Sequence, residues 1–136
     1  MKIIRYGSIG KVPSCVRDSN NRTNPMLKHW KRNTLELFKE QGLPTNPVGK
    51  PFKMKFEITH TSYDNATNDA PLSIILDYLV ELGIIKSKLW KDTGNIEVIP
   101  KYKYNDGMLI VEIWADEKDP KNKDTSFDEM PVYMTV

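Results

Sequence analysis

Cysteine is nearly missing from this chain: Cys15 stands alone among 136 residues. No intrachain disulfide is possible, a cysteine-built zinc centre is excluded within one chain, and a reducing compartment is the expected setting. Long apolar runs are missing too. No stretch approaches the roughly 18 consecutive apolar residues of a membrane-spanning helix. The opening MKIIRYGSIGKV is too short in apolar residues for a signal peptide's core of about 7–15. There is no G-x-x-x-x-G-K-S/T phosphate loop, no G-x-S-x-G elbow, no internal repeat, and only two isolated histidines, His29 and His60. These absences predict a soluble cytoplasmic domain with no membrane partner.

What is present suffices for one core. Hydrophobic residues make up 39% of the chain, enough for a single domain of this length and too many for wholesale disorder. The net charge of +2 is an average over two unlike parts. Residues 1–115 hold 17 bases against 12 acids, whereas the remainder holds six acids and three bases. A basic body suits a polyanion such as nucleic acid, although an ordinary lysine-rich surface gives the same count. The chain divides into a domain over 1–115 and an acidic C-terminal extension over 116–136.

Along the chain, Ile3, Ile4 and Tyr6 suit an opening strand, and the turn-forming run Asp18-Ser19-Asn20-Asn21 marks a loop. Asn24-Pro25 starts a helix, Asn as N-cap and Pro at the first helical position. Leu27, Trp30, Thr34, Leu35 and Phe38 form its apolar stripe, Lys28, Lys31, Arg32 and Lys39 its basic surface, and Gly42 its stop. Phe52, Met54, Phe56 and Ile58 alternate with polar residues, predicting a half-buried strand. A second helix begins at Asn68 or Asp69 with Pro71 just inside, carries Leu72, Ile75, Leu76, Leu79 and Leu82, and closes at Gly83. Strands over 96–104 and 108–114 flank the tight turn Asn105-Asp106-Gly107. Pro100 places its strand at a sheet edge or bulge. The charged extension is either flexible or docked through Phe127, Val132 and Tyr133. The order β-α-β-α-β-β predicts an α+β fold, a small mixed sheet with two helices packed against it.

Chemistry concentrates in carboxylates around the second helix. Asp64 and Asp69 precede or open it, Asp77 lies on it and Asp92 follows it. Gathered in one pocket, such oxygens suit Mg²⁺, and bound ions activate water for phosphodiester hydrolysis. Asp69 serves equally well as an N-cap, Asp77 as a solvated helix residue and Asp92 as part of an Asp-Thr-Gly turn, and spacing alone does not choose.

The run as a whole, over about residues 3–114, resembles the RusA family of phage and prophage Holliday junction resolvases. Pro13-Ser14 and then Asn20-Asn21-Arg22 resemble that family's Pro-Ser and Asn-Arg. Asp77-Tyr78-Leu79-Val80-Glu81-Leu82-Gly83 resembles its D-x-L-x-x-x-G. Counting back from Asp77 puts Asp69 at the second aspartate of the family's D-x-D-N-x-x-K, and Asp92 falls in its downstream acidic pair. Thr67, Ala70 and Ser73 replace the first aspartate, the asparagine and the lysine of that signature, while Asp64-Asn65 keeps an Asp-Asn pair five residues earlier. The resemblance implies a homodimeric Mg²⁺-dependent endonuclease acting on branched DNA in recombination and repair. Asp64, Asp69 and Asp92 would be its metal ligands, Asp77 would lie in the catalytic pocket, and Arg22, Lys28, Lys31 and Arg32 would contact phosphates. The missing signature residues leave a second expectation, a catalytically degenerate relative that binds a host or phage protein.

Overall fold

The alternation in the second strand has its direct counterpart in burial: Met54, Phe56 and Ile58 are at most 2% exposed, while the polar residues between them stay half-exposed. A computed structural model describes residues 1–62, 67–116 and 133–135, the last three by backbone alone. β1 spans Lys2–Ile9, α1 Pro25–Gln41, β2 Pro51–His60, α2 Asp69–Glu81, α3 Trp90–Thr93, β3 Asn95–Tyr102, β4 Met108–Ala115 and β5 Tyr133–Thr135.

α1 forms as its termini dictate. The Asn24 side chain accepts the Met26 N–H at 3.1 Å. Gly42, with φ 99°, ends the helix and donates its N–H to the Phe38 carbonyl at 2.8 Å. Leu27, Trp30, Thr34 and Phe38 are its buried residues, spaced three or four apart as one face requires. α2 is buried more broadly, through Pro71, Ile74, Ile75, Leu76, Tyr78 and Leu79, because it touches both the sheet and α1. Asn68 stands at its N-cap without capping; its side-chain oxygen pairs instead with His60 Nε2 at 2.8 Å.

The sheet order is β3-β2-β4-β1-β5. β2 and β3 run parallel, connected through α2, and the other neighbours are antiparallel. Both helices cover one face, where Ile4, Tyr6, Phe56, Val111 and Ile113 join Trp30, Phe38, Ile75 and Leu79 in a single core. The opposite face carries paired charges, Lys53 with Glu97 at 2.8 Å and Lys101 with Glu57 at 3.0 Å. Lys53 holds the Glu97 carboxyl below its usual range by a hydrogen bond and by its charge. The expected α+β architecture is present, and β3, which contains Pro100, lies at an edge of the sheet.

Two short elements were not expected. α3 is a single turn, and β5 has three residues, pairing Ile3 with Met134 and Ile4 with Tyr133. The C-terminal extension thus returns a strand to the sheet at Tyr133, whereas Phe127 and Val132 lie outside the described residues. Neither element is long enough for hydrophobic periodicity to register. Among the described residues no helix is long and apolar enough to cross a membrane.

Tyr6 gives this core a pH dependence. It is fully buried, stacks on Phe38 at 4.8 Å and donates its hydroxyl to the Gly42 carbonyl at 2.7 Å. Burial raises its pKa well above a phenol's usual 10. The folded state therefore holds the proton that the unfolded chain releases above pH 10. The stabilisation is whole below pH 10 and is lost as pH rises, at up to about 1.4 kcal/mol per pH unit. Alkaline unfolding followed by circular dichroism should show this loss in the wild type and a shallower one in Tyr6→Phe.

Candidate nucleic-acid interface

The carboxylates around α2 are dispersed where the structure describes them. Asp69 opens α2, next to Asn68 and hence beside His60 at the end of β2. Asp92 belongs to α3, two residues before Gly94, whose backbone lies against Phe52 and Lys53 at the start of β2. Because β2 and β3 are parallel, the chain enters α2 at one end of the sheet and leaves α3 at the other. Lys53 and His60 are separated by roughly 23 Å of strand at about 3.3 Å per residue. Asp77 lies about 12 Å along the helix axis from Asp69.

The acids also have other partners. Asp77 Oδ1 is bound by Lys88 Nζ at 2.7 Å, and Asp92 Oδ2 accepts the Ser87 hydroxyl at 2.5 Å. Ser87 in turn accepts the Leu89 N–H at 3.1 Å, so Asp92 braces the turn into α3. Asp64 lies outside the described residues. Among the described residues, no three acids, histidines or cysteines come together in an arrangement that could hold a metal ion. Of the expected catalytic carboxylates Asp64, Asp69, Asp77 and Asp92, with Asp64, Asp69 and Asp92 as metal ligands, the described Asp69, Asp77 and Asp92 are not brought together in one pocket. Counting along the chain placed them around one helix, but the parallel crossover separates that helix's flanks.

The basic residues behave differently. Lys28 and Arg32 are exposed one turn apart on α1, and Lys39 continues the same face two turns further on, with Glu36 between. Arg22 is exposed in the loop preceding α1. That loop is built by Asp18, whose Oδ1 accepts the N–H groups of Asn20 and Arg22, both at 2.9 Å. Arg17 sits opposite Thr23 in the same loop and donates to the Asn21 carbonyl at 3.2 Å. Cys15 is part of this scaffold, its carbonyl accepting from the Asn24 amide at 3.0 Å.

Among the described residues, none of Arg22, Lys28, Arg32 and Lys39 forms an ion pair with an acid. Lys31 leaves this set. Its Nζ lies 3.0 Å from Glu81 and 5.4 Å from the Tyr78 ring centroid, and its carbonyl accepts the Tyr78 hydroxyl at 2.7 Å. It ties α1 to α2. Burial first and the Glu81 charge second raise the Tyr78 pKa, keeping that hydroxyl a donor. Lys39 and Arg17 join the basic surface although the sequence singled out neither for DNA contact. The signal for Lys39 was its eleven-residue, three-turn spacing from Lys28.

No protein-family model and no curated protein matches the chain. Function is therefore argued from the surface itself.

Proposed function

We propose that this chain is a RusA-like DNA-binding protein that grips the phosphate backbone of branched DNA along the exposed face of α1, acting as a homodimer. One observation carries the reading. Four lysines elsewhere on the surface are matched to acids, Lys53 to Glu97, Lys88 to Asp77, Lys101 to Glu57 and Lys103 to Asp106. The exposed Lys50, Lys86 and Lys91 lack an acid partner among the described residues but share no helix face. The cations of α1's outer face and of the loop before it have no such partner among the described residues. A row of unmatched cations on a rigid helix is what neutralising successive phosphates requires, and such contacts position a strand without reading its sequence.

The described acids of one protomer do not fit a Mg²⁺ centre, so no hydrolytic step is derived through them. Incubating synthetic four-way junctions with the protein and Mg²⁺ tests the nuclease directly, and symmetric strand scission would restore it. Binding is tested by fluorescence anisotropy on the same junctions over a salt series. Replacing both Lys28 and Arg32 by alanine should make the slope of log K against log salt shallower by about 2, each phosphate contact contributing roughly 0.9. A homodimer should show a solution mass of twice the 15.7 kDa chain.

The same titration separates this reading from a second one, a protein-interaction module. That reading is favoured by the exposed side chains of Phe52, Leu89, Trp90 and Ile96 around the α3–β2 junction. On it, junction DNA binds negligibly and the Lys28 and Arg32 substitutions change nothing.

A further inference from the structure

A groove of about 350 Å³ lies between the end of β1 and the first turns of α1, within the range of about 300–1,000 Å³ typical of small-ligand sites. Its walls are apolar where a surface usually is not: Ile9 is 65% and Met26 59% exposed. Its polar groups are few. Asn33 donates its amide to the Ile9 carbonyl at 2.8 Å, which leaves its Oδ1 without a partner among the described residues, and His29 stands on the same lining. One lip is fixed by close backbone approach. Gly10 donates to the Gly107 carbonyl at 2.7 Å, and a β-carbon on Gly107 would stand 2.5 Å from Lys11 Cα.

Charge borders this apolar slot. Lys11 lines it, and Lys28 and Arg32 stand exposed one position round α1 from the lining residues His29 and Asn33. A slot with apolar walls, one or two edge-reading polar groups and bordering cations matches a nucleotide, whose base stacks and whose phosphates need cations. A free inorganic anion would not use the walls, and an apolar peptide would not use the cations.

We propose that this groove receives an unpaired nucleobase of a DNA strand whose flanking phosphates sit on Lys11 and Lys28. The inference rests on the DNA-binding reading and narrows its substrate to DNA with unpaired nucleotides, such as the branch points of open junctions.

The test compares a fully matched duplex with the same duplex carrying one unpaired 2-aminopurine, using the full chain. Wild type should bind the bulged duplex more tightly and quench the 2-aminopurine emission as the base stacks. Replacing Ile9 and Met26 together by serine should lower affinity for the bulged duplex about 5- to 100-fold. Matched-duplex affinity and the salt slope should stay at wild-type values, because no cation is removed. Met26→Ser alone, at an exposed first-turn position, serves if the double variant melts below the assay temperature. Equal wild-type affinity for the two duplexes, unmoved emission, or equal losses on both in the variant would each overturn this inference while leaving the phosphate grip standing. No binding to either duplex at low salt would overturn the DNA-binding reading and this inference with it.

Discussion

Gly94→Ala is expected to remove on the order of 3–5 kcal/mol of stability, read as a lower urea midpoint with an unchanged slope. Two effects add. Gly94 adopts φ 69° and ψ −159°, a region essentially closed to residues with a β-carbon. A β-carbon there would also stand 2.3 Å from the Phe52 carbonyl carbon and 2.7 Å from the Lys53 nitrogen, atoms of β2's backbone that no side-chain rotation can move aside. Gly83 is the control. It also has positive φ, 76°, but a β-carbon there meets nothing within 4 Å, so Gly83→Ala should cost only about 1 kcal/mol of backbone strain. The difference combines the closed backbone region at Gly94 with the contact by which α3 sits on β2. A Gly94→Ala protein that matches Gly83→Ala in stability would mean that β2 yields at this point.

That contact also shows where sequence reasoning stops. The alternation of β2 and the stripes of α1 and α2 were legible because each repeats over several turns or pleats, so Phe56, Phe38 and Leu79 declare their faces by period alone. Pro100 declared an edge strand because a missing N–H is best tolerated there. The relation between Asp69 and Asp92 carries no such signal. Whether two residues flanking a helix meet depends on whether the next strand runs parallel or antiparallel to the last, and a crossover to a parallel strand puts them at opposite ends. The same blindness applies to Lys31. From its spacing it belongs with Lys28 and Arg32, but the interhelical partner Glu81 is 50 residues away in sequence and turns it toward α2. Basic positions were therefore readable as a set, and their division into a pairing lysine and unpaired cations was not.

The support of the basic face can be separated from the face itself through Phe38. This ring is 1% exposed and stacks on Tyr6 with planes 28° apart. One turn on, Gln41 acts as a strand partner for β1, its side-chain oxygen accepting the Gly7 N–H and its amide donating to the Gly7 carbonyl, both at 2.7 Å. Phe38 thus lies inside the clamp that fixes α1 to the sheet. Phe38→Ala should cost about 3–5 kcal/mol, the transfer loss plus an unfilled cavity. That is a large part of a total stability that is typically about 5–15 kcal/mol. No cation is removed, so the molecules that remain folded should bind junction DNA with the wild-type salt slope. Their apparent affinity should fall only at temperatures where the unfolded fraction becomes appreciable. Replacing Lys28 and Arg32 by alanine should do the reverse, flattening the salt slope with little change in melting temperature, since both side chains are exposed and lack partners among the described residues. If Phe38→Ala altered the slope at a temperature where it is fully folded, the phosphate contacts would depend on how α1 is seated, and its outer face would not act as a rigid row of charges.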